Sequence, residues 1–302
     1  MKSIRAYFSG WWYSFRKIKM WAILFFFNFL IAFICTLPLL HLLDERLGNS
    51  LSLQKILPDF DYTVYNDIMH EYGEGISVII NQSWIQVGLF FLLWIFLTGG
   101  VLEVFKNREE RFRFGDFCRS CAYYFWRIFR LTAYFLGVHI LLFTMFVGLF
   151  AALTGSGPGE FESELVLVST FQVLAPIYLL LTALVLMVQD YIKVRIVRED
   201  PTFLTLPIWK SVGWVVRNLG SVFFLYLLNA VGFFLLAYAY WLYNKTGKIN
   251  SGATLLIAFV IGQLFVWLRI GSKLVNLASA TILYERSIPP APPASPEPPE
   301  QA

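Results

Sequence analysis

Charged side chains are scarce in this sequence, and cysteine is nearly absent. Asp, Glu, Lys and Arg make up only 15% of the 302 residues, whereas a typical soluble protein has about 25%. So few charges cannot cover the surface of two water-exposed domains. Three cysteines exclude a scaffold held by disulfides, and the 58% apolar content excludes a disordered chain. A helical membrane protein with several spans is the class that remains.

Long apolar runs occur in six places. A membrane-spanning helix needs about 20 mostly apolar residues, and six windows meet this requirement: residues 20–42, 83–105, 131–154, 165–189, 219–243 and 253–276. Strands of outer-membrane barrels alternate apolar and polar residues in segments of about ten, whereas the runs here are continuous. The sequence therefore predicts an all-α integral membrane protein with six transmembrane helices.

The basic residues are distributed unevenly between the loops. Twenty of the 24 Lys and Arg residues lie in segments 1–19, 106–130, 190–218 and from 269 onward, and four lie in the intervening loops. Because basic loops stay in the cytoplasm, both termini are predicted to be cytoplasmic. No cleavage site of the A-x-A type follows the first apolar run, so we expect this helix to be retained. A multi-pass protein of a bacterial inner membrane is the expected localisation.

One pattern occurs three times along the chain. A tryptophan and then an arginine precede an outward span at Trp12/Arg16, Trp126/Arg130 and Trp214/Arg217. We interpret each as an amphipathic helix lying in the inner interface. The return spans end in similar charged segments at 104–110, 194–200 and 281–286. Three repeats of an interfacial helix plus a transmembrane hairpin would explain this, although any inner membrane boundary collects Trp and Arg.

The predicted domain organisation is simple. Residues 1–288 form one six-span membrane domain, in which an outside insertion at 43–82 lengthens the first repeat. The tail at 289–302 contains seven of the 13 prolines, and we expect it to be disordered and cytoplasmic. Three pairs of small residues would permit close contact between helices: Ala133/Gly137, Gly148/Ala152 and Ala258/Gly262.

Two short motifs carry a resemblance to known families. Trp214-x-x-Arg217-Asn218 and Leu283-Tyr284-Glu285-Arg286 resemble segments of uncharacterised bacterial six-helix membrane families. One such family is the membrane domain attached to some glycerophosphodiester phosphodiesterases. The resemblance implies a six-span helical fold. It implies no phosphodiesterase activity, because the catalytic domain is absent and no histidine of this chain stands in a His-Arg-Gly signature.

Three polar residues are predicted near the membrane midplane. Asn28 and Asn229 each lie 12 residues after a boundary arginine, about 18 Å into the membrane. His139 lies nine residues after Arg130, about one turn shallower. If the repeats pack around a common axis, these groups would line a polar cavity. The alternative is hydrogen bonding between helices, which stabilises many membrane bundles.

Arg269 is the most unusual charge of the six spans. It lies 16 residues into the last apolar window, and apolar residues resume beyond Lys273. Either the helix leaves the membrane near Arg269, or the charge lies deep and needs a partner, for which Glu103 and Asp190 are candidates. Extension of the side chain to the headgroups is the less costly arrangement. A ligand role towards a lipid phosphate is the alternative.

Two further groups suggest metal or redox chemistry. Cys118-x-x-Cys121 has the spacing of a redox or zinc motif, but the local chain supplies neither a βαβ setting nor further ligands, so two small buried thiols are expected. A short helix in the outside insertion would place one histidine and three carboxylates on one face, which suits a divalent cation or simply a solvated surface: Asp67, His70, Glu71 and Glu74.

The sequence therefore predicts a membrane protein without enzymatic activity. We expect no cofactor and no nucleic-acid partner, whereas membrane lipids, a protein partner or a second copy of the chain are the expected partners. A structural or interaction role in an envelope or lipid process is the main hypothesis. The alternative is a transporter or lipid-handling protein with a polar path at Asn28, His139 and Asn229, in which Arg269 binds an anionic group.

Overall fold

The computed structural model describes residues 2–47, 62–155, 164–201, 203–247 and 251–287. Within these ranges the chain forms eight α-helices and no strand, which confirms the all-α prediction. The helices are α1 (Lys2–Arg16), α2 (Ile18–Leu47), α3 (Tyr62–Lys106), α4 (Phe114–Thr154), α5 (Glu164–Glu199), α6 (Thr205–Arg217), α7 (Leu219–Thr246) and α8 (Gly252–Ser287). The proline-rich tail at 289–302 lies outside the described residues.

Six of these helices, α2, α3, α4, α5, α7 and α8, are long and apolar enough to cross a membrane. The chain is therefore a multi-pass membrane protein of the predicted class. Helices α3 and α4 contain 45 and 41 residues, which corresponds to about 68 and 62 Å and exceeds the roughly 30 Å hydrocarbon core of a bilayer. The short helix predicted in the outside insertion is thus the first part of α3.

The interfacial helices predicted before each outward span are found as separate helices in two of the three repeats. Helix α1 ends before Lys17, and α6 ends before Asn218, whose side-chain amide donates to the Trp214 carbonyl at 2.9 Å. In the middle repeat the prediction of a separate helix is wrong, because α4 runs without a break through Leu131. This buried leucine has no polar side chain that could cap a helix end.

Helix α1 buries its small residues and exposes its aromatic ones. Its buried face consists of Ser3, Ala6, Gly10 and Ser14. Phe8 and Trp12 on the other face are 66% and 65% exposed. Helix α6 has the same arrangement, with Ser211 buried and Trp209 exposed. Exposed aromatic rings beside a basic boundary are suited to the headgroup region of a membrane.

The chain forms two compact units, whose boundaries fall between α1 and α2 and inside α4, α7 and α8. The first unit contains residues 1–16, 139–235 and 272–302, and the second contains residues 17–138 and 236–271. In the first unit, the second half of α5 packs against α6, α7 and α8 through a buried set of side chains: Tyr191, Ile192, Ile196, Val215, Val222, Leu225, Leu274 and Leu283.

In the second unit, α3 and α4 approach each other closely at Gly99 and Gly100. A Cβ atom on Gly99 would lie 2.8 Å from the Tyr124 Cβ, and one on Gly100 would lie 2.8 Å from the Phe117 ring. Real Cβ contacts are not that short, so glycine is required here by packing. Cys121 fills the same contact, and its thiol donates to the Leu97 carbonyl at 3.9 Å.

Burial along the spans follows the charge distribution. Buried side chains of α3, α4, α5 and α8 concentrate in the halves next to the basic segments, for example around residues 95–105, 187–197 and 274–284. The opposite halves expose mostly large apolar side chains, as in residues 136–153 and 165–181. A bilayer or an apolar partner must therefore cover these halves.

Candidate functional site

Asp190 on α5 collects hydrogen bonds from two other helices of the first unit. Tyr226 of α7 donates its hydroxyl to Asp190 Oδ2 at 2.9 Å, and Asn276 of α8 donates to the same oxygen at 3.5 Å. Lys193, one turn along α5, pairs with Oδ1 at 3.1 Å. These four residues are called the carboxylate cluster below. Its charge is neutralised locally, and it joins α5, α7 and α8.

About one and a half turns beyond Asp190 on α5, a buried guanidinium joins α5 to α8. The Arg195 side chain is only 9% exposed. Its Nε donates to the Tyr284 hydroxyl at 2.7 Å and to Glu199 Oε1 at 3.1 Å, and the Tyr284 hydroxyl donates to the same Glu199 oxygen at 2.8 Å. Arg195, Glu199 and Tyr284 are called the guanidinium cluster. A buried charge is tolerated only when paired in this way.

Trp214 connects α6 to the guanidinium cluster. Its indole Nε1 donates to Ser287 Oγ at 3.0 Å, and its ring centroid lies 5.2 Å from that of Tyr284. Arg198 and Glu285 form an ion pair beside it. The two motifs that carry the family resemblance, at 214–218 and 283–286, thus pack against each other.

Each polar cluster of the first unit contains a buried atom that has no hydrogen-bond partner among the described residues: Arg195 Nη1 in the guanidinium cluster and Asn276 Oδ1 in the carboxylate cluster. Tyr191 Oη and Ser211 Oγ are further examples in this unit. Such atoms are rare in protein interiors and raise the free energy of the folded state unless a further group binds them. The two clusters therefore retain hydrogen-bonding capacity for a small polar ligand.

Asn229, predicted as a midplane polar residue, joins α7 to α8. Its amide donates to the Leu225 carbonyl of its own helix at 2.9 Å and to Ser279 Oγ of α8 at 3.5 Å. His139, half-buried, belongs to the same unit. Asn28, also half-buried, lies on α2 in the second unit. The contact of Asn229 is the kind expected for hydrogen bonding between helices, and the polar path stays a prediction.

Arg269 is exposed, and α8 continues beyond it to Ser287 without a break. The two carboxylates considered as its partners have other partners. Asp190 belongs to the carboxylate cluster, and Glu103 accepts from Lys106 at 3.5 Å, Asn107 at 3.2 Å and Tyr124 at 3.3 Å. Extension to the headgroups and binding of a lipid phosphate thus remain the two hypotheses for Arg269.

The motifs that suggested metal binding fall on two separate helices. Asp67 and His70 are exposed on the first turns of α3, and the side chains of Glu71 and Glu74 lie outside the described residues. Cys118 and Cys121 on α4 are free thiols, of which Cys121 is buried. The part of the chain that the structure describes contains no group of three or more His, Cys, Asp or Glu placed to hold a metal ion.

Comparison of the chain with protein-family models, with curated proteins and with solved structures found no match. The resemblance to bacterial six-helix membrane families therefore stays a prediction. Sequence reasoning identified Asp190 only as a partner for Arg269. It missed Tyr226, Asn276 and Arg195, although polar residues inside apolar helices were the available signal.

Proposed function

We propose that this chain is a structural or interaction protein of a bacterial inner membrane, without enzymatic activity, acting in an envelope or lipid process. The observation that carries the proposal is the set of polar contacts, formed by the two clusters and the Trp214–Ser287 hydrogen bond, that joins four helices of the first unit at their basic ends. Its termini would be cytoplasmic, since these ends coincide with the segments rich in Lys and Arg.

The polar contacts favour a fixed arrangement of helices. Six of them lie at the basic ends and connect α5, α6, α7 and α8: Tyr226–Asp190, Asn276–Asp190, Arg195–Tyr284, Tyr284–Glu199, Arg198–Glu285 and Trp214–Ser287. At about 0.6 kcal/mol each, the average for such bonds in membrane proteins, they stabilise the arrangement by about 4 kcal/mol. A separated arrangement would then be populated at roughly one part in several hundred.

Fixed inner ends suit a scaffold better than a transporter, because alternating access requires groups of helices to move against each other. The exposed apolar halves of the spans would be the surface on which such a scaffold binds its partners. Membrane lipids, a second copy of the chain or another membrane protein would cover it.

A transporter or lipid-handling role is the second candidate, and the exposure of Arg269 favours it. The guanidinium makes no hydrogen bond or ion pair with any residue that the structure describes, so it is available to an anionic group. In this reading Asn28, His139 and Asn229 would line the path.

Distance measurements between two spin labels distinguish the two roles. Trp209→Cys and Phe234→Cys place exposed labels on α6 and α7 of the first unit, in a background without the native cysteines. Val173→Cys and Leu186→Cys, both exposed and about 20 Å apart on α5, serve as a reference pair. Because both labels lie on one helix, the width of their distance distribution is that caused by the label itself.

For a scaffold in lipid nanodiscs, the α6–α7 distance distribution should be single and as narrow as the reference. Two populations, or a distribution clearly broader than that of the reference pair, would contradict the scaffold and support the transporter. Circular dichroism of each double variant checks that the helices are intact.

A further inference from the structure

A groove lined mainly by charged side chains lies in the second unit, where the connection between α3 and α4 folds back on the start of α2. Its volume is about 240 Å³, and its basic lining residues are Lys17, Arg111, Arg113 and Arg119. The groove lies on the side that the charge distribution assigns to the cytoplasm. It contains none of the residues of the two polar clusters.

The cations of the groove differ in how they are held. Lys17 is only 6% exposed, and its ammonium donates to the Glu110 carbonyl, which fixes it at the wall. Arg111, Arg113 and Arg119 are exposed, and their guanidinium groups make no hydrogen bond or ion pair with any described residue. Guanidinium groups without a protein partner bind phosphate well, because two parallel N–H donors of the planar group fit two phosphate oxygens.

The first turn of α4 adds to the positive potential. The helix begins at Phe114, and the Arg113 carbonyl accepts from the Phe117 amide at 3.1 Å. The amides of residues 114–116, which precede this bond, have no partner within the helix, and the positive end of the helix dipole lies there. This end of a 41-residue helix therefore favours an anion in the groove.

Three carboxylates also line the groove: Glu103, Glu110 and Asp116. Glu103 is neutralised by Lys106, with which it pairs at 3.5 Å. Glu110 and Asp116 are exposed and oppose an anion. Three exposed guanidinium groups against two exposed carboxylates leave a positive surplus, which suits a phosphate of one negative charge.

The surroundings indicate a lipid as the source of this phosphate. Phe114, Tyr123 and Trp126 on the same part of α4 are each more than half exposed. Aromatic side chains of this kind settle at the depth of the headgroups. Further along, α4 continues as an apolar span, along which acyl chains can lie.

We propose that this groove binds the phosphate of an anionic phospholipid of the adjacent leaflet. The guanidinium groups of Arg111, Arg113 and Arg119 are the ligands. Lys17 fixes the wall of the groove through its hydrogen bond to the Glu110 carbonyl. The site is independent of whether the protein acts as a scaffold or as a transporter, since it uses neither the polar clusters nor the midplane residues.

Native mass spectrometry of the purified protein in detergent tests the proposal with dioleoyl phosphatidylglycerol, dioleoyl phosphatidylcholine and inorganic phosphate as separate probes. Phosphatidylglycerol should bind at least about tenfold more tightly than phosphatidylcholine. Combined Arg111→Gln and Arg113→Gln substitutions should remove most of this preference. Arg217→Gln, an exposed inner-side arginine at the end of α6, is the matched control and should retain it.

A variant that is expected to strengthen lipid binding shows whether a loss of binding in the other variants comes from misfolding. Asp116→Asn removes an opposing carboxylate and should strengthen phosphatidylglycerol binding several-fold, which a damaged fold would not do. Equal binding of both lipids, an equal effect of Arg217→Gln, or no gain with Asp116→Asn would overturn the proposal. Inorganic phosphate that binds as tightly as phosphatidylglycerol would overturn the lipid as the source.

Discussion

Replacing Gly100 by alanine should destabilise the contact between α3 and α4. The new Cβ would lie closest to the Cys121 sulfur and 2.8 and 2.9 Å from two atoms of the Phe117 ring. Relaxed contacts between carbon atoms are about 3.5–4.0 Å, so the ring is too near by about 0.7 Å or more. Phe117 is 2% exposed and Cys121 is fully buried, which leaves neither side chain room to withdraw.

The expected cost follows from two opposing effects. Overpacking of a close contact costs about 1–3 kcal/mol, whereas alanine has a higher helix propensity than glycine by up to about 1 kcal/mol. We therefore expect the free energy of unfolding to fall by about 1–2 kcal/mol. Unfolding in mixed micelles, followed by circular dichroism, measures this difference.

Gly88→Ala is the matched control, because Gly88 lies on the same helix and a Cβ there would meet nothing within 4 Å. It should leave the free energy of unfolding unchanged or raise it by up to about 1 kcal/mol, because the gain in helix propensity meets no opposing contact. Adding Cys121→Ala to Gly100→Ala should recover part of the loss, since the sulfur is removed while the Phe117 ring remains. Equal stability of the two glycine variants, or strict additivity with Cys121→Ala, would refute the close contact.

Two further substitutions test the first unit. Tyr284→Phe removes the hydroxyl of the guanidinium cluster and should lower the free energy of unfolding by about 1–3 kcal/mol, whereas Tyr238→Phe on the exposed face of α7 should not change it; equal unfolding curves would contradict the role of the hydroxyl. Gly10→Ala places a Cβ 2.8 Å from the Ser279 Cβ, so hydrogen exchange of α1 amides should accelerate by tenfold or more. Gly213→Ala, which meets nothing within 4 Å, should not accelerate it, and unchanged exchange in both would argue against docking of α1 on α8.

The six spans could be predicted from the sequence because the bilayer imposes a length on each apolar run. The ends of the helices could not be predicted in this way. Residues 62–82 and 114–130 continue α3 and α4 in polar surroundings, where no membrane thickness limits a helix. The break after α6 depends on the capping amide of Asn218, and the middle repeat has Leu131 where a break was expected.

Contacts between helices were the least predictable feature. The small-residue pairs of the third span were expected to permit close packing, yet a Cβ on Gly137 or Gly148 would meet nothing within 4 Å. The close approach occurs instead at Gly99 and Gly100, and small size alone does not indicate which face meets a neighbour. The partners of Asp190 likewise come from helices 36 and 86 residues away in sequence.

The groove residues illustrate the same limit. Arg111, Arg113 and Arg119 contributed to the predicted orientation only as part of a basic loop. Their convergence on Lys17 depends on the fold of the connection between α3 and α4, and a pattern of charges along the sequence does not specify it.

Labelling of single cysteines with a membrane-impermeant maleimide tests the six-span topology most directly. In cells expressing the protein, cysteines at Tyr62 and Thr246, both exposed at the predicted outer ends of α3 and α7, should react while the cells are intact. Cysteines at Arg5 and Arg286 should react only after the membrane is permeabilised. Reaction of Arg5→Cys or Arg286→Cys in intact cells, or of Tyr62→Cys and Thr246→Cys on opposite sides, would contradict six passes with basic segments inside.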